Sequence, residues 1–177
     1  MGYEIAGGLG IKLAAPDREV VVLVGDGSYL MMAQELATAI QEGIKINVVL
    51  FDNHGFASIG GLSAAVGCGG FATEYRRRTA SGALDGEPVS VDFAANARSL
   101  GAKAVVAADA ASLRRALAEA RAAAETTVIV VPVDREARVG GYESWWDVPV
   151  AETSTLQAVR DARTEYDRAR RRQRHFL

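Results

Sequence analysis

Two apolar runs, each closed by a turn of glycine and oxygen-bearing residues, constrain this chain more than any other feature. Val21-Val22-Leu23-Val24 runs into Gly25-Asp26-Gly27-Ser28, and Phe51-Asp52 runs into Asn53-His54-Gly55, with Asn53 lying 27 positions after Asp26. One helix-length segment separates them. A strand, helix and strand of these lengths bring the second strand back parallel to the first, by the right-handed crossover that sheets prefer. Asp26 and Asn53 then leave the sheet at one carboxyl edge, where open α/β sheets bind ligands. Two hard oxygen donors facing one crevice suit Mg²⁺ carrying a phosphate group, because that ion takes few protein oxygens and completes its octahedron with phosphate and water. Each half taken alone is also a common turn, so the argument rests on their pairing.

The spacing of the pair resembles the thiamine-diphosphate motif, Gly-Asp-Gly followed after about 25 residues by Asn; here 25 positions separate Ser28 and Asn53. The resemblance implies that Asp26, the Asn53 side chain and the Gly55 carbonyl hold Mg²⁺ or Ca²⁺. It also implies that Gly25, Gly27 and Ser28 receive the diphosphate, the last two through backbone N–H groups. Glycine allows close approach of an anion, and a helix opening near Ser28 offers unpaired N–H groups with a favourable dipole.

The remaining composition narrows the class. At 177 residues and 49% hydrophobic content the chain suits one domain with a substantial core. A formal net charge of −2 gives no case for nucleic acid or an anionic membrane as partner. The lone Cys68 cannot form an internal disulfide and reads as a small packed residue, which fits a reducing cytoplasm. No run is long and apolar enough to span a membrane, and the start lacks a signal-peptide pattern.

Along the chain, helices and strands alternate. Residues 1–14 have helical apolar spacing but carry four glycines, each costing about 1 kcal/mol against alanine in a helix interior, which close packing on a sheet or second subunit would offset. After Pro16, Glu19 to Val24 reads as a strand buried on both faces. Tyr29 to Glu42 reads as one helix closed by Gly43, with Met31 and Met32 as core filler. Ile46 to Phe51 is the second strand. Phe56 to Gly70 suits a mobile loop or short helix, and Phe71 to Pro88 is a polar stretch. Its Arg76-Arg77-Arg78 is either a solvated patch or an anion-binding group.

Asp92 caps a helix ended by Gly101, Lys103 to Ala107 is a strand, Asp109 caps a helix reaching Ala124, and Thr127 to Val133 is a further buried strand. The predicted architecture is α/β, a mainly parallel sheet with helices on both faces. Residues 1–152 form the diphosphate-binding domain. Residues 153–177 form a basic helix or tail with seven arginines against three acids. Trp145 and Trp146 lie outside any periodic element and serve either a subunit contact, a pocket wall or simple packing.

No Ser/His/Asp arrangement, His/Cys cluster or carboxylate pair emerges, so no catalytic residue is assigned, and the chemistry falls to the cofactor. His54 adjoins the proposed ligands without being called on by the motif. In thiamine enzymes a hydrophobic wedge bends the cofactor, and a glutamate on another domain activates its pyrimidine ring. The wedge position falls on Met1. The glutamate has no candidate here and would belong to a separate pyrimidine-binding domain.

Met1-Gly2-Tyr3-Glu4-Ile5, Gln41-Glu42-Gly43, Phe51-Asp52-Asn53, Leu84-Asp85-Gly86 and Gly141-Tyr142-Glu143-Ser144-Trp145-Trp146 resemble the C-terminal domain of the trihydroxycyclohexane-1,2-dione hydrolase family of myo-inositol catabolism. That resemblance implies thiamine diphosphate and Mg²⁺ as cofactors and hydrolysis of a C–C bond in a cyclic dione. It also implies a homodimer or tetramer when complete. Because members of that family are several times longer, the expectation is a fragment or split subunit, inactive alone. An acetolactate-synthase-like or 2-oxoacid decarboxylase part and a noncatalytic assembly module remain as alternatives.

Overall fold

The computed structural model describes residues 1–137, 139 and 147–174. Tertiary contacts divide the chain into two compact units, one of Met1–Gly55 and Val89–Glu136, the other of Phe56–Pro88 and Ala137–Leu177. The Trp145-Trp146 pair, the Gly141–Trp146 run and His175 lie outside the described residues.

The first unit holds helix α1 (Glu4–Ala14), strand β1 (Val21–Gly25), helices α2 (Asp26–Met32) and α3 (Glu35–Gln41) and strand β2 (Asn47–Asp52). It resumes later in the chain with α5 (Phe93–Ser99), β3 (Lys103–Val106), α6 (Ala110–Ala122) and β4 (Thr127–Pro132). All pairings are parallel, in the order β1-β2-β4-β3. Register aligns Val22 with Val48 and Val48 with Val128, and Leu23 with Val49 and Val49 with Ile129. Side chains alternate along a strand, so these two rows face opposite sides. On the first side α1 comes so close that a Cβ on Gly8 would lie 2.3 Å from Val22 Cγ2. On the second, Ala116 and Ala120 of α6, flanked by Leu113 and Leu117, pack on Ile129 and Val131. The parallel sheet with helices on both faces is therefore present.

Of the four glycines in residues 1–14, Gly2 lies before α1 and three lie within it, of which Gly8 finds its compensation on the sheet. Gly10 meets nothing within 4 Å, and no contact among the described residues offsets its conformational freedom.

Three local expectations are corrected. β1 is not buried on both faces: Val22 and Val24 are buried, but Val21 and Leu23 are 47% and 62% exposed. β1 is an edge strand, and α6 reaches only the β4 end of that face, so an apolar run alone did not reveal which side was covered. The expected single helix over 29–42 is two helices broken at Ala33-Gln34, where Leu36 N–H bonds Ala33 C=O and Ala37 N–H bonds Gln34 C=O. Apolar residues recurring every three or four positions do not register such a tightened turn. Met31 is half exposed, not core filler.

Capping follows the sequence closely. The Asp92 carboxylate accepts from Ala95 N–H, and Asp109 and Ser112 exchange hydrogen bonds in a capping box. Gly43 and Gly101 close their helices with φ of 63° and 94°. Thr126, fully buried, accepts from Ile46 N–H and donates to Ile44 C=O, joining the starts of β2 and β4.

Within α2, Tyr29 is fully buried, stands edge-on to Phe93 at 5.7 Å and donates to Asn96 Oδ1 at 2.8 Å. Burial pushes its phenol up to about 12. The neutral form is thus favoured in the fold, and stability should fall as pH rises from about 10, where the unfolded phenol ionises, to about 12. Two pH units correspond to roughly 2–3 kcal/mol. Tyr29→Phe should lose about 1 kcal/mol at neutral pH through the missing hydrogen bond. It should also flatten that alkaline limb in urea titrations taken pH by pH.

In the second unit α4 (Ala57–Ala65) forms within the segment expected as a loop or short helix, and α7 (Gln157–Arg170) is the basic C-terminal helix. Val150, Val159 and Tyr166 make its core, with Cys68 packed against them as expected. Within the polar stretch Arg76 pairs with Glu74 and donates to Gly86 C=O, and Arg78 donates to Gly82 C=O. Two of the three arginines thus organise their own loop.

Candidate functional site

At the carboxyl edge of the first unit, register sets Gly25 opposite Phe51, so the chain leaves β1 at Asp26 beside the point where it leaves β2. Gly25 is extended and acts as N-cap, and the helix begins at Asp26, two residues before the expected opening at Ser28. Asp26 is consequently the first residue of α2 and is fully buried. One carboxylate oxygen, Oδ2, accepts the Gly55 N–H at 2.8 Å, a bond that ties the two turns together.

The other oxygen, Oδ1, is buried without a hydrogen-bond partner, and so is Asn53 Oδ1. Unpaired buried acceptors cost free energy, and two of them where adjacent strands end mark a place for a group that supplies positive charge. Burial pushes the Asp26 carboxyl above its ordinary range, and the neighbouring Asp52 charge adds to this, while the Gly55 N–H and those of Asn53 and Gly27 oppose it. A divalent cation would reverse the main cause, because it compensates the buried charge directly.

The turn carrying Asn53 is held from below. Asp52 Oδ1 accepts the His54 N–H at 3.1 Å and lies 3.0 Å from His54 Nδ1. His54 takes φ of 58°, a left-handed conformation that an L side chain seldom adopts, and Gly55 follows at φ 151°. This bracket escaped the sequence reading, although an aspartate two residues before a turn amide is the usual signal for such a bond. The His54 side chain is 62% exposed.

Gly27 and Ser28 are buried in the first turn of α2. Met1 is 62% exposed, and Gly2 is buried with its N–H on Ser28 Oγ at 3.3 Å. All seven proposed residues, Met1, Gly25, Asp26, Gly27, Ser28, Asn53 and Gly55, thus belong to the first unit. Among the described residues no group of three or more His, Cys, Asp or Glu could hold a metal. A cation at this edge would therefore meet one carboxylate oxygen and one amide oxygen, and would need ligand oxygens to complete its shell. The residues present fit such a metal–diphosphate group.

Residues 1–131 match the family described as thiamine pyrophosphate enzyme, C-terminal TPP binding domain. The chain belongs to this family. Its fold supports the assignment: a thiamine diphosphate-dependent 4-hydroxybenzoylformate decarboxylase of Rhodococcus jostii RHA1 superposes with a TM-score of 0.63 at 27% identity, over 76% of this chain and 23% of that one. Among curated relatives, the 3D-(3,5/4)-trihydroxycyclohexane-1,2-dione hydrolase of Geobacillus thermodenitrificans is 45% identical over 163 residues, 92% of this chain and 26% of the relative. A 3D-(3,5/4)-trihydroxycyclohexane-1,2-dione hydrolase 1 of Bacillus cereus is 47% identical over the same length and is covered to 25%. The chain thus spans about a quarter of the length of these relatives.

Proposed function

We propose that this chain is the diphosphate- and Mg²⁺-binding domain of a thiamine-diphosphate-dependent enzyme that hydrolyses a C–C bond of trihydroxycyclohexane-1,2-dione in inositol degradation. The observation that carries the cofactor part is the pair of buried, unpartnered oxygens, Asp26 Oδ1 and Asn53 Oδ1, at adjacent strand ends. Similarity of 45% and 47% to two hydrolases supports the substrate class. Likeness to a 4-hydroxybenzoylformate decarboxylase supports a second reading, a 2-oxoacid decarboxylase part, at the lower identity of 27%.

In this reading Asp26, Asn53 and the Gly55 carbonyl hold Mg²⁺. Gly25, Gly27 and Ser28 receive the diphosphate and Met1 supports the cofactor rings. When bound, the cofactor supplies the carbon nucleophile that attacks a substrate carbonyl. The chain's own part is to anchor: Asp26 neutralises the ion, the Gly55–Asp26 bond fixes the two turns, and the Asp52 bracket holds Asn53 in place. None of these groups activates the pyrimidine ring, so a separate pyrimidine-binding domain is needed, in a homodimer or tetramer located in the cytoplasm.

Thermal melting with ligands tests this directly. Mg²⁺ and thiamine diphosphate together should raise the melting temperature, while Mg²⁺ alone should not, because the protein oxygens are too few for the free ion. Purified chain should not hydrolyse the cyclic dione, whereas a mixture with a pyrimidine-binding domain should. Hydrolysis by the chain alone would overturn the division of labour, and turnover of a 2-oxoacid by the mixture would favour the decarboxylase reading.

A further inference from the structure

Beyond the anchoring residues, the first unit contains an arrangement that the motif does not account for. Gly2 is buried, and its N–H, which needs a partner there, finds Ser28 Oγ at 3.3 Å across 26 residues of sequence. Its φ of 79° lies in the left-handed region. A Cβ at Gly2 would stand 3.0 Å from Met31 Cβ and 3.9 Å from Met32 Cβ. The first turn of α2 therefore holds the Gly2 amide, and its last turn closes the space beside Gly2. Both act on the residue that follows Met1, which is itself 62% exposed.

We infer that the Ser28 hydroxyl, with Met31 as backstop, is a positioning device that registers Met1 against α2. Ser28 has two separable roles in this account: its backbone N–H faces the diphosphate, while its side chain orients the residue that supports the cofactor rings. The inference rests on the cofactor reading above for what Met1 touches, but the tether itself is a property of the free chain. A hydroxyl is required at position 28, and glycine at position 2.

The test uses the full chain, with Met1 confirmed by intact mass, and two measurements. Hydrogen exchange of the Gly2 amide, read by NMR without ligand, should be slowed in the wild type, fast in Ser28→Ala and slowed again in Ser28→Thr, which keeps the hydroxyl. Affinities for Mg²⁺-thiamine diphosphate and for Mg²⁺-pyrophosphate should then separate the ring contacts from the anchor. Ser28→Ala should lower the thiamine diphosphate to pyrophosphate affinity ratio by about 3- to 10-fold, the size expected for one hydrogen bond. Met1→Ala should do the same, and the double variant should lose little more, because both act through one residue.

A Gly2 amide equally protected in wild type and Ser28→Ala, or unprotected in both, overturns the tether. Protection lost without a change in the affinity ratio, or additive losses in the double variant, overturns its link to Met1. A wild-type chain that responds to neither ligand overturns the cofactor reading instead, and the amide measurement tells that failure apart.

Discussion

Asp26→Ala should abolish the stabilisation that Mg²⁺ and thiamine diphosphate together give the chain. Ligand at 100 times its dissociation constant stabilises the folded state by about 2.7 kcal/mol. For a chain of this length that is a melting shift of roughly 5–10 °C. Asp26 supplies the only carboxylate among the proposed ligands, and one of its oxygens is buried without a partner. Removing it leaves an amide and a carbonyl, too weak a set to hold the ion against water.

The free chain should tolerate the change better than the complex does. Burial already disfavours the ionised carboxyl, so its loss removes an unfavourable charge along with the Gly55 hydrogen bond. Asp26→Asn is the sharper variant, since the amide oxygen can still accept from Gly55 N–H while the charge is gone. Both variants should melt cooperatively and fail to respond to the ligand pair. A retained shift in either would place the metal elsewhere, and an unchanged oligomer with no shift in the wild type would favour the noncatalytic assembly module.

Gly67→Ala should produce the largest loss of stability, in the second unit. Gly67 has φ of 81°, and a Cβ there would lie 2.6 Å from the carbonyl carbon and oxygen of Ala158 and 2.8 Å from Val159 N. These are backbone atoms of α7, so no side chain can swing aside. A left-handed alanine costs about 1–2 kcal/mol, and overpacking adds about 1–3 kcal/mol. A loss of about 3 kcal/mol or more should therefore appear, with earlier proteolysis within α7. Gly69→Ala is the control: no atom lies within 4 Å of its Cβ position and its φ is not left-handed, so it should change stability little. Equal effects of the two would refute the close approach of α7.

How far each feature could be read in advance depended on the range of the interaction that fixes it. The carboxyl-edge placement of Asp26 and Asn53 followed from local patterns, apolar runs of strand length and one helix between them, because a parallel return is nearly the only solution for such a unit. Asp92, Asp109, Gly43 and Gly101 were legible for the same reason, as each satisfies or ends a helix with neighbours three or four residues away. The half-exposed face of β1, the break at Ala33-Gln34 and the bracket around His54 were not. Composition cannot say whether a helix from elsewhere in the chain covers a strand, and helical periodicity runs through a tightened turn unchanged.

By itself, then, the sequence determined the α/β class, the family motif and the shared edge of the sheet at which Asp26 and Asn53 emerge. Only the tertiary structure decided that one oxygen of Asp26 is bound by Gly55 while the other is left unpartnered, and that Gly2 is held by Ser28. It also decided that Gly67 lies against α7. Each of these joins residues 26 or more positions apart, where no local propensity acts and the partners are fixed by how packed elements bring distant backbone together.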